Sequence, residues 1–151
     1  MTFREISAAL FCLAMLPFGA NAADDGAIKY FPAPSRPDGA APPFSTAVQA
    51  GRTLYVSGTI GGGALAKPGS TASDDAAAVL DSVKKNLESA GYTMDDLVWV
   101  QIFAADLATY ADFNKVYVTY FKSNLPARAF IGAGSLLAGG RYEVMGIAVK
   151  K

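Results

Sequence analysis

After residue 43 the hydrophobic positions recur first with the period of a strand, then with that of a helix, and the alternation continues to the end of the chain. Ser45 to Ala50 and Thr53 to Ile60 read as strands, and Gly51–Arg52 between them reads as a tight hairpin turn. From Ser73 the period changes: Ala76, Val79, Leu80, Val83 and Leu87 fall on one helical face, and Gly91 follows as a stop signal. Leu97 to Phe103 is a mostly apolar strand. Phe113, Val116, Tyr117, Tyr120 and Phe121 define a second amphipathic helix that ends before Pro126. Ala127 to Ala133 and Tyr142 to Val149 are the last strands, with a loop through Gly139–Gly140 between them, and Lys29–Tyr30–Phe31 is a short edge strand. The order ββαβαββ predicts an α+β domain, a mixed sheet with both helices packed on one face. The other face must meet something, which predicts oligomerisation.

A different pattern marks the beginning of the chain. A short polar opening carries Arg4, Ile6 to Phe18 is almost entirely apolar, and Ala20 and Ala22 supply a small-x-small site. These are the parts of a secretory signal, and the run is shorter than the roughly 20 apolar residues of a membrane span. The expectation is a signal over 1–22, cut after Ala22, and an exported domain over 23–151 in the periplasm or outside the cell, with no membrane contact after cleavage. Phe11 before Cys12 is too bulky for a lipoprotein site.

Composition then removes several chemistries. The chain of 151 residues has 13 Lys plus Arg and 13 Asp plus Glu. Arg4 and Glu5 leave with the signal, so the exported domain is formally neutral, with scattered basic residues. That argues against nucleic acid as a partner, because phosphate binding needs clustered Lys and Arg. The one cysteine lies in the signal, so the domain has no disulfide; with no histidine either, Ser–His–Asp and Cys–His catalysis and the usual zinc sites are excluded. Asp74–Asp75 and Asp95–Asp96 stand where helices or turns begin and suit the helix dipole better than a metal. Gly61–Gly62–Gly63 lacks the Gly-Lys-Ser/Thr of a phosphate loop and reads as a mobile connection. No residue pattern implies a cofactor or a metal.

Several segments, in order, resemble the RidA/YjgF family. They are Pro42-Pro-Phe-Ser-Thr-Ala-Val with Gly51 and Leu54-Tyr-Val-Ser-Gly58, then Asn86–Leu87 with Ala90–Gly91, then Phe113-Asn-Lys-Val-Tyr117 with Tyr120–Phe121. Pro126-Ala-Arg128 follows, with Glu143 fifteen positions after the arginine and Ile147–Ala148 near the end. The likeness runs from about Lys29 onward. It implies a chorismate-mutase-like fold, a homotrimer, and active sites in clefts between subunits.

By that resemblance the activity is hydrolysis of 2-imino acids and their enamine tautomers to 2-oxo acids and ammonia. Arg128 would hold the carboxylate of the small imine or enamine substrate, since its planar fork suits a carboxylate bidentately. Glu143 would orient or activate the attacking water, with Phe44, Ser57, Gly58 and Phe130 lining the cleft. Phe44 replaces the family's usual tyrosine, Thr59 a common glutamine, Phe130 a smaller residue and Met145 a second acidic one; the resemblance thus implies a bulkier, more apolar pocket. Without the resemblance, an Arg and a Glu on neighbouring strands of one hairpin read first as a cross-strand ion pair. Two other functions stay open: a non-catalytic carboxylate-binding or chaperone-like trimer, and the ribonuclease activity attributed to some family members, which neutral charge disfavours.

Overall fold

The computed structural model of the chain describes residues 26–150; the expected signal over 1–22 lies outside the described residues. The elements follow the order read from the pattern: β1 (Ile28–Pro32), β2 (Ser45–Ala50), β3 (Thr53–Gly61), α1 (Ala72–Ser89), β4 (Leu97–Ala104), α2 (Tyr110–Tyr117), β5 (Ala127–Gly132) and β6 (Tyr142–Val149). The strands form one mixed sheet in the order β1-β2-β3-β6-β4-β5. Only β4 and β5 are parallel. The second helix is shorter than its apolar periodicity suggested, giving way to a 3-10 turn over Val118–Tyr120.

One expectation is corrected. β5 and β6 are not a hairpin, because β4 lies between them. β6 alternates buried and half-buried positions along its whole length, as a central strand does, while β5 runs out into exposed Ile131 and Gly132 and forms an edge. α2 carries the chain back so that β5 lies parallel to β4, as a crossover connection does.

Local chemistry fixes the ends of the elements. Gly51 turns the β2–β3 hairpin with φ 57, a left-handed conformation that costs glycine little. Thr71 caps α1, its hydroxyl accepting from the Asp74 amide while the Asp74 carboxylate accepts from the Thr71 amide. At the other end Gly91 takes φ 78, and the Tyr92 amide donates to the Leu87 carbonyl, closing the helix with a reverse turn. Between these caps Ala76, Val79, Leu80, Val83 and Leu87 are buried against Leu54, Val56, Ile102, Val144 and Ala148 of the sheet.

Asp75 departs from the simple helix-start role. Its carboxylate is almost completely buried and accepts from Arg141 Nε at 2.7 Å. This pair ties the start of α1 to the start of β6. Gly61–Gly62–Gly63 passes beside it as a packed crossing rather than the mobile connection expected: a Cβ on Gly61 would meet Val79, one on Gly62 would meet Asp75 and Arg141, and one on Gly63 would meet the Gly139 backbone.

The face away from the helices is left bare. A register row crosses it from Tyr30 through Val48, Tyr55 and Ile147 to Trp99. Tyr30 is 64%, Tyr55 51% and Trp99 37% exposed, an apolar stripe of the kind that marks an association surface. Replacing Arg141 by alanine removes the counter-ion of a buried carboxylate. Urea unfolding should show a loss of about 2–3 kcal/mol, at or below the low end of the roughly 3–5 kcal/mol for a broken buried pair because the guanidinium reaches solvent. A loss within about 0.5 kcal/mol would show that the pair is unimportant to the fold.

Candidate active site

Arg128 stands on β5 in register with Val100 of β4. Val100 is buried beneath the helices, so Arg128 also rises on the helix-bearing face. There α2 presents Tyr110, Asn114 and Tyr117, at i, i+4 and i+7, on one side. Arg128 Nη1 donates to Asn114 Oδ1 at 2.7 Å, and Nη2 donates to the Tyr110 hydroxyl at 3.2 Å. The guanidinium carbon lies 4.8 Å from the centre of the Tyr117 ring. Phe130, two residues along the strand, meets Tyr110 edge-on at 5.0 Å. A guanidinium has five N–H donors; Asn114 and Tyr110 accept two of these and leave the others for a ligand. The rings of Tyr110 and Phe130 also lie within cation–π range, 5.6 and 5.9 Å from the guanidinium carbon.

This setting divides the two tyrosines electrically. Burial pushes Tyr117 up to about 12, against the opposing influence of the Arg128 charge. Its hydroxyl is buried without a hydrogen-bond partner among the described residues. Tyr110 is exposed, and the Asn114 side chain and then the Arg128 charge hold it below its usual value.

Glu143 lies on β6 in register with Phe103 and Ile60. Its neighbours Tyr142 and Val144 are buried under the helices, so the pleat sends Glu143 to the bare face. β3 shifts register between Val56 and Thr59, a bulge that sets Ser57 and Gly58 beside β6. The Glu143 carboxylate lies directly over Gly58: a Cβ there would collide with Glu143 Oε1. Ser57 Oγ donates to the Thr46 carbonyl at 3.0 Å. Phe44, 57% exposed, immediately precedes β2, at the end of that strand where Thr46 meets Ser57.

The six residues singled out in the sequence therefore fall into two groups. Phe44, Ser57, Gly58 and Glu143 gather around the β3 bulge, whereas Arg128 and Phe130 belong to the opposite side and the far edge of the sheet. The expected Arg128–Glu143 juxtaposition within one hairpin does not occur, and they form no ion pair. Sequence reasoning passed over Tyr110 altogether and quoted Asn114 only within a motif; Tyr117 is buried in the core, as its helical spacing implied, with its ring beside the Arg128 guanidinium. Their spacing on α2 was the available signal. Grooves of about 530 and 570 Å³ flank the 65–70 loop, and neither is lined by Arg128 or Glu143.

The family described as endoribonuclease L-PSP matches residues 34–150. A mouse protein named 2-iminobutanoate/2-iminopropanoate deaminase is 36% identical over 112 residues, covering 72% of this chain and 82% of its own. Among solved structures, yeast Mmf1 superposes with a TM-score of 0.71 at 33% identity, covering 83% of this chain and 100% of its own. Escherichia coli TdcF with bound serine superposes with a TM-score of 0.70 at 26% identity, covering 82% of this chain and 100% of its own.

The Arg128 cluster has a spectroscopic test. Asn114 is the larger influence on Tyr110, but Arg128 also lowers both Tyr110 and Tyr117, so Arg128→Met should move both phenol titrations to higher pH, Tyr110 losing the Arg128 part of its lowering. Ultraviolet difference titration against Tyr110→Phe isolates the group. An unchanged Tyr110 titration in Arg128→Met would contradict the contact.

Proposed function

This chain belongs to the endoribonuclease L-PSP family, also called RidA/YjgF, and we propose that it hydrolyses small 2-imino acids and their enamine tautomers to 2-oxo acids and ammonia. The observation that carries the reading is the Arg128 seat, a guanidinium held by Asn114 and by aromatic rings with donors to spare. Such a fork binds a carboxylate in two parallel hydrogen bonds. The serine bound to TdcF and the deaminase named in mouse both concern small molecules with an amino-acid carboxylate.

In this reading the chain assembles as a trimer through the bare face of its sheet. Arg128 of one copy then faces the Phe44, Ser57, Gly58 and Glu143 group of the next. The carboxylate sits on Arg128, and Phe130 and Phe44 wall the cleft. Glu143 takes a proton from water as the water oxygen bonds to the imine carbon. It returns that proton to nitrogen, giving a carbinolamine, then takes the carbinolamine's hydroxyl proton and passes it to nitrogen as the carbon–nitrogen bond breaks, so that the carbonyl forms and ammonia departs. The imine carbon is already electrophilic, so positioning and proton transfer are the contributions needed. Gly58 matters because a Cβ there would push the Glu143 carboxylate out of its place over the strand. The charge balance of 13 against 13 and the absence of histidine favour this over cleavage of RNA. The apolar run Ile6–Phe18 and the Ala20–Asn21–Ala22 site support export, with the reaction taking place in the periplasm or outside the cell.

The test generates imines with an amino-acid oxidase and follows their capture by semicarbazide. The protein should lower capture. Arg128→Lys should reduce kcat/KM on the order of 100-fold by losing the bidentate grip, and Glu143→Gln should reduce kcat by a similar factor with KM little changed. A protein that binds carboxylates but consumes no imine would instead be the non-catalytic binding trimer.

Gly58→Ala provides an independent check on the bulge. It should abolish most turnover while thermal unfolding shifts little, because the strand can keep its pairing and the carboxylate must move. Full activity in Gly58→Ala would show that turnover does not need the Glu143 carboxylate in its place over Gly58.

A further inference from the structure

Beside the Arg128 seat runs an apolar strip that the carboxylate itself does not use. Arg128, Phe130 and Gly132 occupy alternate positions of β5 and share the helix-bearing side. Tyr110 stands edge-on to Phe130, 5.0 Å between ring centres and 87° between planes, and is 47% exposed. Leu107, on the 3-10 turn Leu107–Thr109 that leads into α2, is 55% exposed and lies against Gly132. A Cβ on Gly132 would stand 3.1 Å from Leu107, so the glycine lets the leucine settle on the strand backbone. The Phe130 ring centre is 5.9 Å from the Arg128 guanidinium carbon. Alternate strand residues are about 6.6 Å apart, so the strip from Phe130 to Leu107 begins where a carboxylate on Arg128 would end its reach.

We propose that Tyr110, Phe130 and Leu107 form a side-chain subsite that selects 2-imino acids with an aromatic or branched aliphatic side chain over those with a methyl. This rests on the carboxylate-seat reading of Arg128. With its carboxylate on the guanidinium, a phenyl or isobutyl group lies along the exposed faces of Tyr110 and Leu107. A methyl group stops short of them. The charge fixes one end of the molecule and the strip rewards length at the other, a division that gives about tenfold or more per well-buried carbon group.

The test uses stable 2-oxo acids as well as turnover, so that the subsite and the reaction can fail separately. Calorimetric titration of the protein should show phenylpyruvate binding at least about tenfold more tightly than pyruvate. Leu107→Ala should shrink that ratio several-fold, and Gly132→Val, which displaces Leu107, should shrink it too. Imine assays on the phenylalanine-, leucine- and alanine-derived substrates should show the same order in kcat/KM. Equal binding of the two oxo acids overturns the subsite even if every imine is hydrolysed. The expected binding ratio without turnover overturns the deaminase reading and keeps the subsite. If Leu107→Ala changes the assembly size in solution, the strip is a contact between copies and the proposal is wrong.

Discussion

A pleated strand shows successive side chains to opposite faces, and in this sheet only one face is covered by helices. That alternation governs where each polar group can stand. Along β6, Tyr142, Val144, Gly146 and Ala148 go to the helices and form the core, which leaves Glu143 and Met145 no choice but the bare face. On the far edge, register with Val100 commits Arg128 to the helix side. The two charged residues are therefore separated by the sheet itself. A site that uses both must be completed by a second copy, and the row Tyr30–Val48–Tyr55–Ile147–Trp99 gives the bare face an apolar reason to be covered.

The helix side is organised for precision in a small region. The Asp75–Arg141 pair and the glycine crossing beside it anchor α1 to the start of β6. The rings of Phe113, Tyr117, Tyr142 and Phe130 interlock beneath α2, with Phe113 at 4.8 Å from Tyr142 and 5.5 Å from Phe130. α2 thus sits rigidly over β5, and Tyr110 and Asn114 inherit that rigidity in holding the Arg128 guanidinium. A guanidinium held this way has little side-chain freedom left to lose.

Much of this was legible beforehand. The alternation of periods placed each strand and helix to within a few residues, because amphipathic burial acts locally. The neighbourhood of β5 and β6 was not legible: their short connection resembles a hairpin, and only the whole sheet reveals that β4 lies between them. For the candidate site, motif spacing singled out Arg128, Glu143, Ser57 and Gly58, but it could not say on which face each stands. Asn114 and Tyr110 escaped because an asparagine and a tyrosine on a helix are ordinary residues until a guanidinium is placed beside them. Asp75 looked like a helix-start carboxylate, and its partner Arg141 is sixty-six positions away.

The central claim is that the two halves of the site come from different chains, and subunit mixing tests it most directly. Arg128→Lys and Glu143→Gln proteins, each strongly impaired alone, are unfolded together, refolded as mixed assemblies and assayed for imine loss. The account predicts that activity returns, because some interfaces then join an intact Arg128 from one chain to an intact Glu143 from another. Mixed assemblies that form and remain as impaired as their parents would contradict it.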